Sequence, residues 1–236
     1  MKKIMWFFAI LPVLVTSIVF PLMPDTIPMH KDLAGNIDRW GSKTESFIFP
    51  IVILIITLFW HLLISVFEKK AAKGKTEKEQ MEGASNAKFM GIVGIALAVM
   101  FGCMYYFILY SSCKEAVLGS SGAVDIAKVS CVLCGLLFIV LGNFMTKTKK
   151  NGVAGVRTSW SMYNDVTWRK SNRIGAYCFM IAGILTVITT AFLDGVVSTV
   201  LMLIYVLIAA AVAVVYSKKY MSRKKRKAPF AQRMCD

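Results

Sequence analysis

The chain has 236 residues, of which 57% are apolar and only 17% are charged, and its mean hydropathy is +0.62. An average soluble domain has about 45–50% apolar and about 25% charged residues. This composition therefore argues against an ordinary soluble enzyme and against a disordered tail. The net charge is +15. A strongly basic chain is a candidate for nucleic-acid binding, but a basic chain that is also this apolar is first a candidate for a membrane.

Six apolar stretches are each long enough, at about 20 residues, for a helix that crosses a bilayer. They are Ile4–Leu22, Phe47–Phe67, Phe89–Tyr110, Val124–Met145, Ile174–Leu193 and Val196–Tyr216. The first stretch begins as a signal peptide does, but no Ala-x-Ala cleavage site follows it, so we expect it to be retained as a span. The predicted fold class is an all-α integral membrane bundle of six helices.

Lysine and arginine are divided unevenly between the two sets of loops that six spans create. The set that contains both termini holds 23 of these residues, and the other set holds four. Because cytoplasmic loops carry an excess of Lys and Arg, this division predicts that both termini are cytoplasmic. It places the loop over residues 23–46 outside the cell and the loop over residues 146–173 inside it.

Four segments follow from this reading of the chain. Residues 1–67 form an N-terminal two-span unit with a structured outer loop, and residues 68–88 form a cytoplasmic linker. Residues 89–216 form a four-span unit, and residues 217–236 form a basic cytoplasmic tail that we expect to rest on anionic lipid.

The outer loop has the composition of a compact, folded connection. Pro28 fixes an extended path, and Gly35 permits a tight turn. Asp38, Arg39 and Lys43 are predicted to form a local cluster of ion pairs. Two interpretations remain open: the loop binds a ligand, or it is a rigid connector that sets the spacing of two spans. The candidate binding residues are Pro28, His30, Gly35, Asp38, Trp40 and Lys43.

The inner loop interleaves Gly, Arg and Trp in a specific order. Asn143 is predicted to cap the chain that leaves span four, and Gly155 lets the backbone pass close to a neighbour. Asn164 is predicted to be the N-cap of a helix that continues into span five, with Trp168 at the membrane surface. This loop is either a partner-binding element or a set of topological charges with interfacial tryptophans. The candidate partner-binding residues are Asn143, Asn151, Gly155, Arg157, Trp160, Asn164, Trp168 and Arg173.

The sequence offers little for catalysis or for ion transport. It contains two histidines, no phosphate-binding loop and no metalloprotease or serine-hydrolase motif. Cys131 and Cys134 lie within a span, where they are expected to be small apolar residues rather than a metal or redox pair. His61 is the one histidine inside a span, and it is either a proton relay or, as we favour, packed against a neighbouring helix. We expect no enzyme activity, no metal and no cofactor.

At the two loops the chain resembles the SdpI-type family of bacterial membrane immunity proteins. The N-terminal part resembles a short domain of unknown function that is common in that family, on Pro28, His30, Gly35 and Asp38–Lys43. The second part resembles the family signature, on Gly142–Asn143, Asn151, Gly155–Arg157, Trp160, Asn164, Trp168 and Asn172–Arg173. Two departures stand out: Ser159 replaces the usual proline, and Asn172 precedes Arg173 where the pattern commonly reads Thr-x-Arg or His-Arg.

The resemblance implies a multi-pass protein of the bacterial plasma membrane that protects its producer against a secreted antimicrobial peptide toxin. It also implies signal transduction, in which the protein holds a cytoplasmic transcriptional repressor at the membrane when toxin is present. The implied partners are thus the lipid bilayer, a peptide toxin and a repressor, with no direct nucleic-acid contact. The alternative that the residues leave open is a small-molecule or lipid-handling transporter, in which Arg157, Arg169 and Arg173 hold lipid phosphates.

Overall fold

The computed structural model describes residues 1–32, 35–119, 124–148, 150 and 153–227, the last five without their side chains. Within these ranges the chain forms six long helices, and all six are long and apolar enough to cross a membrane. The protein is therefore a multi-pass membrane protein, and the prediction of an all-α bundle of six helices is confirmed. The helices are α1 (Lys2–Val19), α2 (Ile48–Ala72), α3 (Glu77–Leu118), α4 (Ile126–Met145), α5 (Asp165–Phe192) and α6 (Gly195–Lys227).

Residues 68–88, predicted as a linker, are mostly helical. Helix α2 continues to Ala72, and α3 begins at Glu77, because the Thr76 hydroxyl accepts a hydrogen bond from the Glu79 backbone N–H at 3.3 Å. Such a cap satisfies one of the free N–H groups at a helix start. Only a short turn separates the two helices, although the wider division of the chain into domains stays a prediction. Helix α3 then runs without a break to Gly119, which ends it in the left-handed conformation.

The six helices pack in two groups of three. Helix α3 packs against α1 and α2, while α5 packs against α4 and α6, and a smaller contact between α3 and α4 joins the groups. Glycines permit the closest approaches: a Cβ atom on Gly135 of α4 would lie 2.8 Å from the Gly183 carbonyl oxygen of α5. This contact is typical of membrane bundles, where small residues let backbones meet.

Two polar residues inside the spans contact side chains on neighbouring helices. The Nδ1 atom of His61 accepts a hydrogen bond from the Trp6 indole N–H at 3.1 Å, which supports the packed interpretation of this histidine. The Cys131 thiol lies 3.3 Å from the Thr199 hydroxyl, and both Cys131 and Cys134 are free thiols. These contacts join α1 to α2 and α4 to α6.

Candidate functional site

The loop between α1 and α2 folds as a β-hairpin, which the sequence did not predict. Strand β1 (Thr26–Lys31) pairs antiparallel with β2 (Ile37–Ser42), and bulges interrupt the register on either side of His30. At the tip, Gly35 has φ +87° and donates a backbone hydrogen bond to the Asp32 carbonyl at 3.0 Å. The glycine therefore serves the tight turn predicted for it. Residues 33 and 34 lie outside the described part of the chain.

The predicted ion-pair cluster of the hairpin is wrong in its partners. Asp38, Arg39 and Lys43 do not pair with one another, because alternate strand positions face opposite sides of a hairpin. Each instead has its own partner elsewhere in the hairpin or its flanks. The pairs are Asp38 with His30 at 2.6 Å, Arg39 with Glu45 at 2.6 Å, and Lys43 with Asp25 at 2.9 Å.

One face of the hairpin is fastened to the end of α3. The Lys31 ammonium lies 2.6 Å from the Glu115 carboxylate, which is fully buried and also accepts a hydrogen bond from the Ser111 hydroxyl at 2.9 Å. Beside this pair the Ser112 hydroxyl donates to the Pro28 carbonyl at 3.2 Å. A buried carboxylate is costly without such partners, so these contacts fix the hairpin on the helix.

A buried network lies beneath the hairpin, where three helices meet. The Tyr105 hydroxyl donates to the Ser46 carbonyl at 3.0 Å and contacts the hydroxyl of Thr16. Met23 and Ile27 pack into the same apolar cluster as Tyr105. The hairpin is thus part of the folded bundle and not a free loop.

The predicted outer residues divide into a buried and an exposed group. Pro28 is buried against α3, and the Lys43 ammonium lies 5.2 Å from the centre of the Phe20 ring. His30, Asp38 and Trp40 are exposed, with Trp40 47% exposed. Of the predicted outer residues, this second group is accessible from solvent, while the first group packs the hairpin against the bundle; the binding role of both groups stays a prediction. Sequence reasoning missed Glu115, although an acidic residue in an otherwise apolar helix end is a readable signal.

The opposite end of the bundle, which we call the basic end, comprises residues 68–82, 145–148, 150, 153–173 and 217–222. At its centre Asn164 caps α5 as predicted, since its side chain accepts a hydrogen bond from the Thr167 backbone N–H at 2.9 Å. Just before it, Thr158 and Ser161 exchange hydrogen bonds between side chain and backbone at 2.9 and 3.0 Å. The segment that leads into α5 is therefore tightly folded.

Asn172 holds this segment together, and sequence reasoning noted it only as a departure from the family pattern. Its amide N–H groups donate to the Met145 carbonyl at 2.7 Å and to the Thr148 hydroxyl at 3.2 Å. Its amide oxygen accepts from the Val156 backbone N–H at 3.3 Å. One buried side chain on α5 thus binds both the end of α4 and the chain that follows it. Asn143 was predicted to cap the chain that leaves α4. It is instead exposed on that helix, and Thr146 is the C-cap residue.

Gly155 has the close approach predicted for it. Its φ is +110°, and a Cβ atom there would collide with the Asn172 side chain and lie 3.2 Å from the Trp168 ring. Trp168, which was predicted at the membrane surface, is fully buried within the protein, so its ring packs against protein and not against lipid. The capped first turn of α5 directs the ring inward against Gly155.

The structure separates the predicted inner residues into two surfaces. Arg157 is exposed, and Trp160 is half-buried with the Lys218 ammonium of α6 5.6 Å from its ring centre. Trp168 and Arg173 instead line a cavity of about 1050 Å³ on the other side, between the starts of α3 and α5. Asn151 lies outside the described part of the chain. The partner-binding role of all these residues stays a prediction.

Comparisons with known proteins match both parts of the chain. Residues 147–217 match the SdpI/YfhL protein family, and residues 7–54 match the domain of unknown function DUF1648. The chain is 23% identical over 207 residues to a protein named Immunity protein SdpI from Bacillus subtilis (strain 168), with 88% of this chain and 89% of that protein covered. No solved structure matches. The C-terminal part of the chain is thus similar to the SdpI/YfhL protein family, its N-terminal part is similar to DUF1648, and the chain as a whole is similar to an immunity protein.

Proposed function

We propose that this protein is an immunity protein of the bacterial plasma membrane that protects its cell against a secreted antimicrobial peptide toxin. The observation that supports this most strongly is the match to an immunity protein along almost the whole length of both chains. The two family matches, over residues 7–54 and 147–217, include the hairpin and much of the basic end, which are the two structured surfaces outside the spans. The uneven distribution of Lys and Arg supports an orientation with the hairpin outside the cell.

In this proposal the exposed face of the hairpin meets the toxin at the outer membrane surface. His30, Asp38 and Trp40 present a histidine, a carboxylate and an amphipathic ring there. Trp is suited to the boundary between water and lipid, where a membrane-active peptide accumulates. The buried pair of Lys31 and Glu115 holds that face on α3.

We further propose that the protein transmits toxin binding to a cytoplasmic repressor. Transmission requires that toxin favours one of two arrangements of the bundle. Helix α3 supports this, since it contacts the hairpin near Glu115 and lines the cavity of the basic end with Glu77 and Lys78. The exposed Arg157 and the neighbouring Trp160 form the surface that the repressor contacts.

The protective function is tested by expression in a toxin-sensitive cell. The wild-type chain is expected to restore growth in the presence of toxin, and Trp40→Ala is expected to reduce protection. Membrane insertion is measured in parallel, with Lys114→Ala as a control near the same membrane surface. Unchanged survival with normally inserted protein would show that immunity is the wrong function for this chain and that toxin.

Repressor recruitment is tested separately, by the fraction of a fluorescent repressor found at the membrane. Arg157→Ala and Trp160→Ala are expected to reduce this fraction at least fivefold, while Lys69→Ala, which removes a charge at the same end, leaves it unchanged. If both variants recruit the repressor normally, this surface has only a topological role. Orientation is checked with cysteine at position 30 or 157: a membrane-impermeant reagent should label only position 30 in intact cells.

A further inference from the structure

The cavity of the basic end carries an excess of positive charge. Six of its lining residues are cationic and three are acidic. The cationic residues come from three different segments: Lys78 from α3, Lys147 and Lys150 from the chain after α4, and Arg169, Lys170 and Arg173 from α5. In the part of the chain that the structure describes, Lys150 and Asp165 form the one ion pair of this wall, at 3.6 Å. The cations of this wall outnumber its carboxylates, which favours an anionic ligand.

Arg169 and Arg173 are the strongest candidates for anion binding in this cavity. They are four residues apart on α5, so their guanidinium groups leave the same side of the helix. Both residues line the cavity and are exposed.

The volume of the cavity and the apolar atoms at its rim favour a lipid headgroup over a small inorganic anion. Its volume of about 1050 Å³ is that of a site for a ligand of drug size, well beyond a free phosphate ion. Met81 and Val166 give the wall exposed apolar atoms beside the charges, being 45% and 38% exposed. Basic pockets between membrane helices bind lipid headgroups through their charged side chains. The acyl chains of such a lipid would lie against the apolar atoms beside those charges.

We propose that this cavity binds the phosphate-bearing headgroup of an anionic membrane lipid, held by Arg169 and Arg173. Guanidinium groups bind phosphate oxygens with paired hydrogen bonds. The site does not include Arg157, which the sequence had suggested for a lipid. The proposal concerns binding alone and is independent of immunity and of repressor recruitment, because it is measured without toxin.

The experiment uses the full chain purified in phosphatidylcholine nanodiscs, with phosphatidylglycerol added as the probe. Native mass spectrometry gives the occupancy of retained lipid, and the thermal midpoint gives the stabilisation. Phosphatidylglycerol is expected to bind and raise the midpoint, and Arg169→Gln/Arg173→Gln should weaken its binding at least tenfold.

The matched control is Lys69→Gln/Lys70→Gln, which removes the same charge from the last turn of α2, at the same end of the bundle but outside the cavity. It should retain binding within twofold. An equal loss in this control would overturn the proposal in favour of diffuse surface charge. Displacement of the lipid by inorganic phosphate at millimolar concentration would overturn the lipid assignment. Binding of a polyglutamate peptide through Arg169 and Arg173, without phosphatidylglycerol binding, would overturn it in favour of an acidic protein segment.

Discussion

Substitution of Lys31 by methionine should release the hairpin from α3. Without the lysine, the fully buried Glu115 carboxylate loses its cation and keeps the hydrogen bond from Ser111. Breaking a buried ion pair by removal of one partner costs about 3–5 kcal/mol. Lys31 is 24% exposed and solvent screens part of the interaction, so we expect about 2–3 kcal/mol. That is about a 30- to 150-fold rise in the undocked population.

Hydrogen exchange in nanodiscs, measured by mass spectrometry over residues 24–44, reports this population directly. Exchange in the Lys31→Met variant should accelerate by the same factor. The control is Lys43→Met in the same hairpin, because its partner Asp25 is 93% exposed. An exposed pair contributes about 0–1 kcal/mol, so exchange there should rise less than about fivefold. Equal acceleration in both variants would refute the reasoning.

The double variant Lys31→Met/Glu115→Met adds a second check on the same pair. Replacement of both charges by apolar side chains of similar length is often neutral. We therefore expect the double variant to recover at least half of the stability that Lys31→Met loses. Additive losses from the two single variants would mean that the pair contributes no coupling to docking.

Three further substitutions test the basic end through the thermal midpoint and hydrogen exchange of residues 153–164. Asn172→Leu leaves three groups without their partner and should cost about 2–4 kcal/mol, whereas the exposed Asn143→Ala should stay within about 0.5 kcal/mol. Gly155→Ala combines backbone strain with a collision, and it should destabilise by more than Gly35→Ala, where the strain is similar but nothing lies within 4 Å. Asn164→Ala removes a helix cap and should cost about 1 kcal/mol.

The spans and the α5 cap were predictable because each depends on local sequence. A run of apolar residues crosses a bilayer whatever its neighbours, and an N-cap is read from the residues around it, as for Asn164. The end of the predicted linker was also readable, since Thr76 precedes two glutamates in the first turn of α3. The capping box of Ser42 and Glu45 carries the same kind of signal, and it marks where the hairpin ends.

The hairpin and the partners of its charges were not predictable, because they depend on contacts distant in sequence. Pro28 reads as a loop residue, since it cannot donate to a sheet, yet it is tolerated on an edge strand. Glu115 is paired with a lysine 84 positions away. Asn172 resembles any polar residue near a helix start, and its role follows only from the path that Gly155 permits. The roles of Pro28, Glu115 and Asn172 are therefore set by tertiary contacts, which the local sequence does not reveal.

The packing of α3 connects the hairpin with the basic end. A helix of 42 residues is about 63 Å long, and it interlocks with α1, since a Cβ atom on Gly94 would lie 2.6 Å from the Met5 sulfur. The contact of α3 with the other three helices is smaller. Lys78 of α3 and Arg169 of α5 both line the cavity, so the cavity has walls from both groups of helices. We therefore expect a phosphate headgroup that is bound to both side chains to hold the two groups together, in addition to the direct contact of α3 with α4.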